Sequence, residues 1–200
     1  MLDPENAARA IISVGKRLFS LGFMSGGSGN LSVRTGDGIL VTPCGLCKGN
    51  IAEKDLVLTT PEGQVLSGGE PTSELPMHLL IYKRRPDINA VIHIHGPNAV
   101  ALTVSGNGFR NDILPEIAIK LGEVVVTKFG MPSTKESAEV LLPYLNDDLK
   151  AAIIPFHGII AMASTVEEAA LIAETVEYAS QVQVLTLSMG NLKSFSGAKF

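Results

Sequence analysis

Two histidines alternating within six residues, and a third sixty residues on, carry the most specific chemistry in this chain. Residues 91–96 read VIHIHG, which places His93 and His95 two apart in a run of β-branched residues. Side chains at i and i+2 of a strand share a face, about 6–7 Å apart along the backbone, so both imidazoles reach one ion. His157, in PFHG, follows an apolar run and precedes Gly158, where a turn aims it back at the end of the sheet. Three imidazole nitrogens with a fourth position open form the donor set of a catalytic zinc ion, which needs that position for water or a substrate oxygen. The competing reading is a pair of polar or core histidines with no ion.

Glu74 lies in PTSEL at the start of an expected helix, where the hydroxyls of Thr72 and Ser73 offer a cap and the first turn has free N–H groups. Such a helix end attracts anions. A phosphate held there brings its substrate next to Glu74, and a carboxylate beside a zinc-polarised ketone can take the proton alpha to the carbonyl. A glutamate in a first helical turn is also ordinary dipole chemistry. His78, in PMHLLIY, reads as a structural histidine with a satisfied hydrogen bond. Cys44 and Cys47, in PCGLCKG, have the C-x-x-C spacing of a redox pair or half a zinc site, but on a turn-like segment they read as two reduced thiols.

These residues need a scaffold. Asp3-Pro4 and apolar residues at three- and four-residue spacing predict a helix ending near Gly22. NLSVR and GILVT around TGDG predict a hairpin, and DLVLTT and VLSGG around PEGQ a second strand-turn-strand unit. A helix over PTSELPMHLLIYKRRPD follows, with Thr72 or Ser73 as cap and Pro86 helping to end it. NAVIHIHG is an expected strand, PNAVALTVSG a short helix, EVVVTKF a strand and TKESAEVLLPYL a helix. AAIIPFHGIIAMA reads as two strands meeting at His157-Gly158, and a helix from 166 to about 188 closes the chain, entered through a capping box at STVE, 164–167. Hairpins mixed with helices predict an α/β, three-layer αβα domain with a central mixed, largely antiparallel sheet covered by helices.

At 200 residues, 46% hydrophobic and 18% charged, the chain suits one domain, 1–200, with a short tail from about 190. A net charge of −4 with scattered basic residues offers no footprint for nucleic acid. The longest apolar stretches fall short of a membrane span. The first twenty residues lack the pattern of a signal peptide, so the expected location is cytoplasmic.

Taken in order between about residues 7 and 188, GGSGNLSVR, ILVTPCG, PTSELPMHLLIYKRRPD, AVIHIHGPNA and PFHGIIA resemble the class II aldolase/adducin family. That fold is shared by fuculose-1-phosphate aldolase and ribulose-5-phosphate 4-epimerase. The resemblance implies that His93, His95 and His157 bind a divalent ion, usually Zn2+, and that Glu74 is the general base and can contact the metal when substrate is absent. It implies that a substrate phosphate is held by Gly29, Asn30, Cys44, Gly45, Thr72 and Ser73. The implied reaction is retro-aldol cleavage of a phosphorylated small molecule, a ketose 1-phosphate, to dihydroxyacetone phosphate and an aldehyde through a metal-stabilised enediolate. A homotetramer with active sites at subunit interfaces is implied as well.

Glu74 favours the aldolase branch, since the epimerases resemble this chain but carry Asp there. Three features depart from the fuculose pattern. Cys44 replaces a hydroxyl residue, LPEIAIKLGE lacks the tyrosine that serves as proton donor, and the tail GNLKSFSGAKF is short. Methylthioribulose-1-phosphate dehydratase, oxo-tetronate phosphate decarboxylase and pentulose-phosphate 4-epimerase activities are therefore alternatives on the same scaffold. An adducin-like, non-catalytic binding module has no use for the three histidines and Glu74 together.

Overall fold

The computed structural model describes residues 3–190 and 192–195. Helix α1, Pro4–Ser20, begins where the Asp3 carboxylate accepts the Asn6 N–H and Pro4 fills the first turn, and it buries Ile11, Val14 and Leu18. Strands β1 (Asn30–Arg34), β2 (Ile39–Val41), β3 (Val57–Thr59) and β4 (Val65–Ser67) run as successive antiparallel neighbours. After α2, Leu75–Arg84, come β5 (Ala90–Ile94), α3 (Pro97–Val104), β6 (Val125–Val126), α4 (Lys135–Glu139), β7 (Ala151–Ile154), β8 (Gly158–Ala163) and α5 (Val166–Ser188).

The eight strands of the described residues form one sheet in the order β4-β3-β2-β1-β5-β8-β7-β6. All pairings are antiparallel except β6 with β7. Period-2 alternation assigns the faces. Ile92 and Ile94 of β5, with Ile159 and Ala161 of β8, pack with α1, α3 and α5, while Val91, Ile160 and Met162 pack with α2 and α4. The expected three-layer arrangement with a mixed, largely antiparallel sheet is what the chain adopts. By parity, His93 turns toward the α2 layer with Val91, and so do Asn30 and Ser32 of β1, since Leu31 and Val33 lie in the opposite core.

Several local expectations shift. The N-cap of α2 is Glu74 (φ −97°, ψ 12°), not Thr72 or Ser73, and no side chain caps it. Pro76 occupies the first turn of α2, and the Thr72 hydroxyl accepts only the Glu74 N–H, at 3.4 Å. The cap of α5 is Thr165, one residue beyond the expected Ser164, and its hydroxyl accepts the Glu168 N–H. The helix expected over TKESAEVLLPYL stops at Glu139 and resumes as a 3-10 turn at Leu142–Tyr144, because Pro143 has no N–H to continue the α-helical ladder. EVVVTKF contributes only the two residues of β6. Residues 191 and 196–200 of the tail lie outside the described residues, and the Phe195 N–H donates to the Asp112 carbonyl at 3.0 Å.

Candidate metal centre and active site

The end of β5, the β7–β8 turn and the entry to α2 converge on one point. His93 is the penultimate residue of β5 and fully buried, while His95 lies just past the strand's end. His157 sits in the tight β7–β8 turn, where its N–H donates to the Ile154 carbonyl. Gly158 is required for that approach, because a Cβ there would lie 2.2 Å from the Ile94 carbonyl oxygen and 3.0 Å from the His93 ring. Phe156, immediately before His157, is held at φ 60°, a left-handed conformation costly for a residue with a side chain. Its N–H is secured by the Thr103 hydroxyl at 2.9 Å.

The three Nε2 atoms meet at close range, 2.9 Å from His93 to His95 and 3.1 Å from His93 to His157. Glu74 completes the group, with Oε2 at 3.1 Å from His93 Nε2 and Oε1 at 3.3 Å from His157 Nε2. One ligand atom from each of the four residues lies within 4.8 Å of all the others. His93 Nδ1–H donates to the Ile159 carbonyl at 3.0 Å, which leaves its Nε2 lone pair pointing into the cluster. Burial, helped by the nearby His93, pulls the His95 pKa down to about 3 and that of His157 to about 4, so both rings are neutral near pH 7.

Burial alone would raise the Glu74 pKa, but His93, by charge and hydrogen bond, then His157 and Asn30 hold its carboxyl well below the usual carboxylate range. Glu74 Oε1 is buried with no hydrogen-bond partner. Converging imidazole lone pairs and an orphaned buried carboxylate oxygen are unfavourable unless something positive lies among them. The donor set of three imidazoles and one carboxylate suits a divalent transition ion.

Glu74 is also held from behind. Its Oε2 accepts the Asn30 Nδ2–H at 3.0 Å, the Asn30 carbonyl faces His78 Nε2, His78 Nδ1 lies 2.6 Å from Ser32 Oγ, and Ser32 Oγ lies 2.7 Å from Tyr82 Oη. A carboxylate only accepts, and that fixes the direction of the chain. Asn30 must present its NH₂ to Glu74 and its oxygen to His78, His78 must donate from Nε2 and accept at Nδ1, and Tyr82 must donate to Ser32. Burial pulls the His78 pKa down to about 3, so the ring stays neutral. The expectation that His78 is a hydrogen-bonded structural histidine agrees with these contacts, although what it supports is the carboxylate at the centre of the site.

A cleft of about 140 Å³ opens beside the cluster. It is lined by all six residues implied for phosphate, namely Gly29, Asn30, Cys44, Gly45, Thr72 and Ser73, together with Glu74, His95 and His157. The Thr72 N–H donates to the Thr42 carbonyl and the Cys44 N–H to the Glu70 carbonyl, which ties the two loops side by side. Cys44 and Cys47 are free thiols. Sequence reading missed Lys48 and Ser133 in the lining. Ser133 has φ 62° and its hydroxyl lies 2.8 Å from that of Ser73. Nothing in the local sequence marks Ser133, and the charge of Lys48 in a glycine loop reads as that of a solvated residue.

No helix among the described residues is long and apolar enough to cross a membrane. The family model of the class II aldolase and adducin N-terminal domain matches residues 9–184. A 5-deoxy-D-ribulose 1-phosphate aldolase of Bacillus thuringiensis serovar kurstaki is 31% identical over 190 residues, 92% of this chain and 86% of that one. A 3-oxo-tetronate 4-phosphate decarboxylase of Escherichia coli O6:H1 is 30% identical over 169 residues, 82% and 79% of the two chains. Among solved structures, YgbL of Klebsiella pneumoniae superposes with a TM-score of 0.89 at 25% identity, covering 98% of this chain and 97% of that one.

Proposed function

The chain belongs to the class II aldolase and adducin family, and from that premise we propose that this lyase cleaves a ketose 1-phosphate of the fuculose 1-phosphate kind to dihydroxyacetone phosphate and an aldehyde. The observation that carries the proposal is the Glu74–His93–His95–His157 cluster, buried except for half-buried His95, at the mouth of a cleft lined by backbone-rich glycine loops. We take His93, His95 and His157 as ligands of a divalent ion, Zn2+ by the preference of imidazole nitrogen, with Glu74 able to join them before substrate arrives. Such an ion, when bound, supplies Lewis-acid polarisation of the substrate's oxygens.

The chain's own groups do the rest. Gly29, Gly45, Thr72 and Ser73 hold the phosphate and fix the sugar backbone relative to Glu74. As the C3–C4 bond breaks, its electron pair stays on C3, the C4 hydroxyl gives up its proton as the aldehyde forms, and Glu74, once protonated, delivers a proton to C3, so that the net change is transfer of one proton from O4 to C3. A positioned acid-base group of this kind contributes about 10²–10⁴-fold. Asn30, oriented by His78, keeps one carboxylate oxygen fixed while the other is left to act.

A second reading is decarboxylation of an oxo-tetronate phosphate, which leaves the same kind of carbanion. It is favoured by a relative of that activity and by the absence of tyrosine from residues 114–123, where exposed Ile119 lies in a π turn at Ile117–Leu121. The assembly we expect is a cyclic homotetramer, in keeping with exposed Phe129, Met131 and Phe156, the last two adjoining cleft residues. A monomer by sedimentation at micromolar concentration would exclude it. The deciding assay is metal-dependent release of dihydroxyacetone phosphate from a panel of ketose 1-phosphates by wild type, Glu74→Gln and His95→Ala. Release lost in both variants supports the aldolase. No release by metal-loaded wild type, with carbon dioxide evolved from 3-oxo-tetronate 4-phosphate, establishes the decarboxylase instead.

A further inference from the structure

Lys48 is the most unusual residue that the proposed mechanism leaves unused. It is 1% exposed, the largest of the fully buried side chains, yet it carries an ammonium group. Lysine is rarely buried to this degree without a counter-ion. Its Nζ donates to the Gly27 carbonyl at 2.7 Å and the Leu46 carbonyl at 2.8 Å, and these are its only hydrogen-bond acceptors among the described residues. Two neutral carbonyls leave one N–H and a full charge uncompensated.

The group is placed where both glycine loops meet. A Cβ on Gly27 would lie 2.6 Å from the Gly45 oxygen, so the 26–30 and 43–49 loops touch at that point and Lys48 pins one to the other. It lines the same cleft as Gly29, Asn30, Cys44, Gly45, Thr72 and Ser73, and it is the only Lys or Arg among the described lining residues. Burial lowers the pKa of Lys48 itself, although the neighbouring Cys44 and Cys47 thiols pull it back, so an anion beside it would favour the charged form.

A phosphate dianion entering this cleft leaves water and approaches the carboxylate of Glu74, and every other group proposed to hold it is neutral. Amides and hydroxyls satisfy its oxygens but do not offset its charge. We infer that Lys48 is the cationic member of the phosphate subsite, neutralising the substrate's phosphate from beneath the two glycine loops while clamping those loops together. The assignment rests on the sugar-phosphate reading above, and it explains how a neutral-looking cradle discriminates a phosphorylated sugar from a free one.

The test compares binding of dihydroxyacetone phosphate and of unphosphorylated dihydroxyacetone to zinc-loaded wild type, Lys48→Met and Lys48→Gln, with zinc affinity measured in parallel. Loss of a charge-assisted hydrogen bond should weaken the phosphorylated ligand about 10- to 100-fold in both variants. Dihydroxyacetone and zinc should bind all three proteins alike. Wild type that prefers the phosphorylated ligand, with variants that keep the preference, overturns the Lys48 assignment alone. Variants that lose zinc and both ligands together overturn it in favour of a purely structural clamp. Wild type with no preference for the phosphorylated ligand overturns the assignment and the sugar-phosphate reading with it.

Discussion

Replacing His78 with leucine tests whether the buried chain from Tyr82 to Glu74 orients the carboxylate or merely fills the core. His78 is fully buried and neutral, with its Nε2 on the Asn30 carbonyl and its Nδ1 on Ser32. In His78→Leu the Asn30 oxygen loses its donor in a dry site, at a cost of about 1–3 kcal/mol, while Ser32 keeps Tyr82 and loses only about 0.5–1.5 kcal/mol. A destabilisation of about 2–4 kcal/mol in urea unfolding follows. Without His78 the Asn30 side chain is anchored only at its Glu74 end, so it holds the carboxylate less rigidly, and kcat should fall about tenfold, or about 1.4 kcal/mol in barrier. The cycle with Asn30→Ala isolates this link, and a coupling of about 1 kcal/mol or more in kcat is expected. There is a pH signature too. The folded pKa of His78 lies at about 3, below the ordinary histidine value of about 6.5, so the unfolded chain binds the extra proton between them. That contribution to stability is complete above pH 6.5 or so and is lost as pH falls toward 3. In the metal-free protein, His78→Leu should flatten the slope between about pH 6 and 4 by about 1.4 kcal/mol per unit. The orienting role would be refuted if His78→Leu and Asn30→Ala were additive within about 0.5 kcal/mol in kcat.

Chelation should lower the melting temperature and zinc should restore it, since ion at a hundredfold excess over Kd adds about 2.7 kcal/mol. His95→Ala should abolish the shift, and melting indifferent to chelator and zinc alike would count against the cluster as a metal site. Glu177 of α5 accepts N–H groups from Asn98 and Ala99 at 2.7 and 3.1 Å, just after the His95-Gly96 turn. Glu177→Ala strands those donors and should cost about 2–4 kcal/mol in unfolding free energy, whereas a loss under 1 kcal/mol would mean that water replaces the carboxylate. Cys44→Ser restores a stronger donor in the cleft and should tighten dihydroxyacetone phosphate binding several-fold, with Cys47→Ser neutral. Loss of turnover in both cysteine variants would revive the redox reading.

What sequence reveals here divides by the range of the interaction. Alternation within VIHIHG places His93 and His95 on one face because strand periodicity is local, and His157-Gly158 reads as a turn because the apolar runs on either side are short. The layers are legible for the same reason. The α2 cap is not, since Pro76 and the tethering of Thr72 to Thr42 decide where the helix begins. His78 is legible as a buried, satisfied histidine, and Glu74, His78 and Tyr82 share one face of α2 by their four-residue spacing, but the partners Asn30 and Ser32 stand more than forty residues away on β1, and only the pairing of β1 with β5 beneath α2 brings them against that face. Lys48 is invisible for a subtler reason. Its charge suggests a solvated loop, and the energy that keeps it buried comes from one carbonyl two residues away on its own loop, from another 21 residues away on the facing loop, and from whatever anion the cleft receives. A buried cation that local sequence would expose is thus better evidence of a ligand than the glycines around it, because glycines serve turns of every kind, whereas an unpaired charge is retained in the interior only where something repays its desolvation.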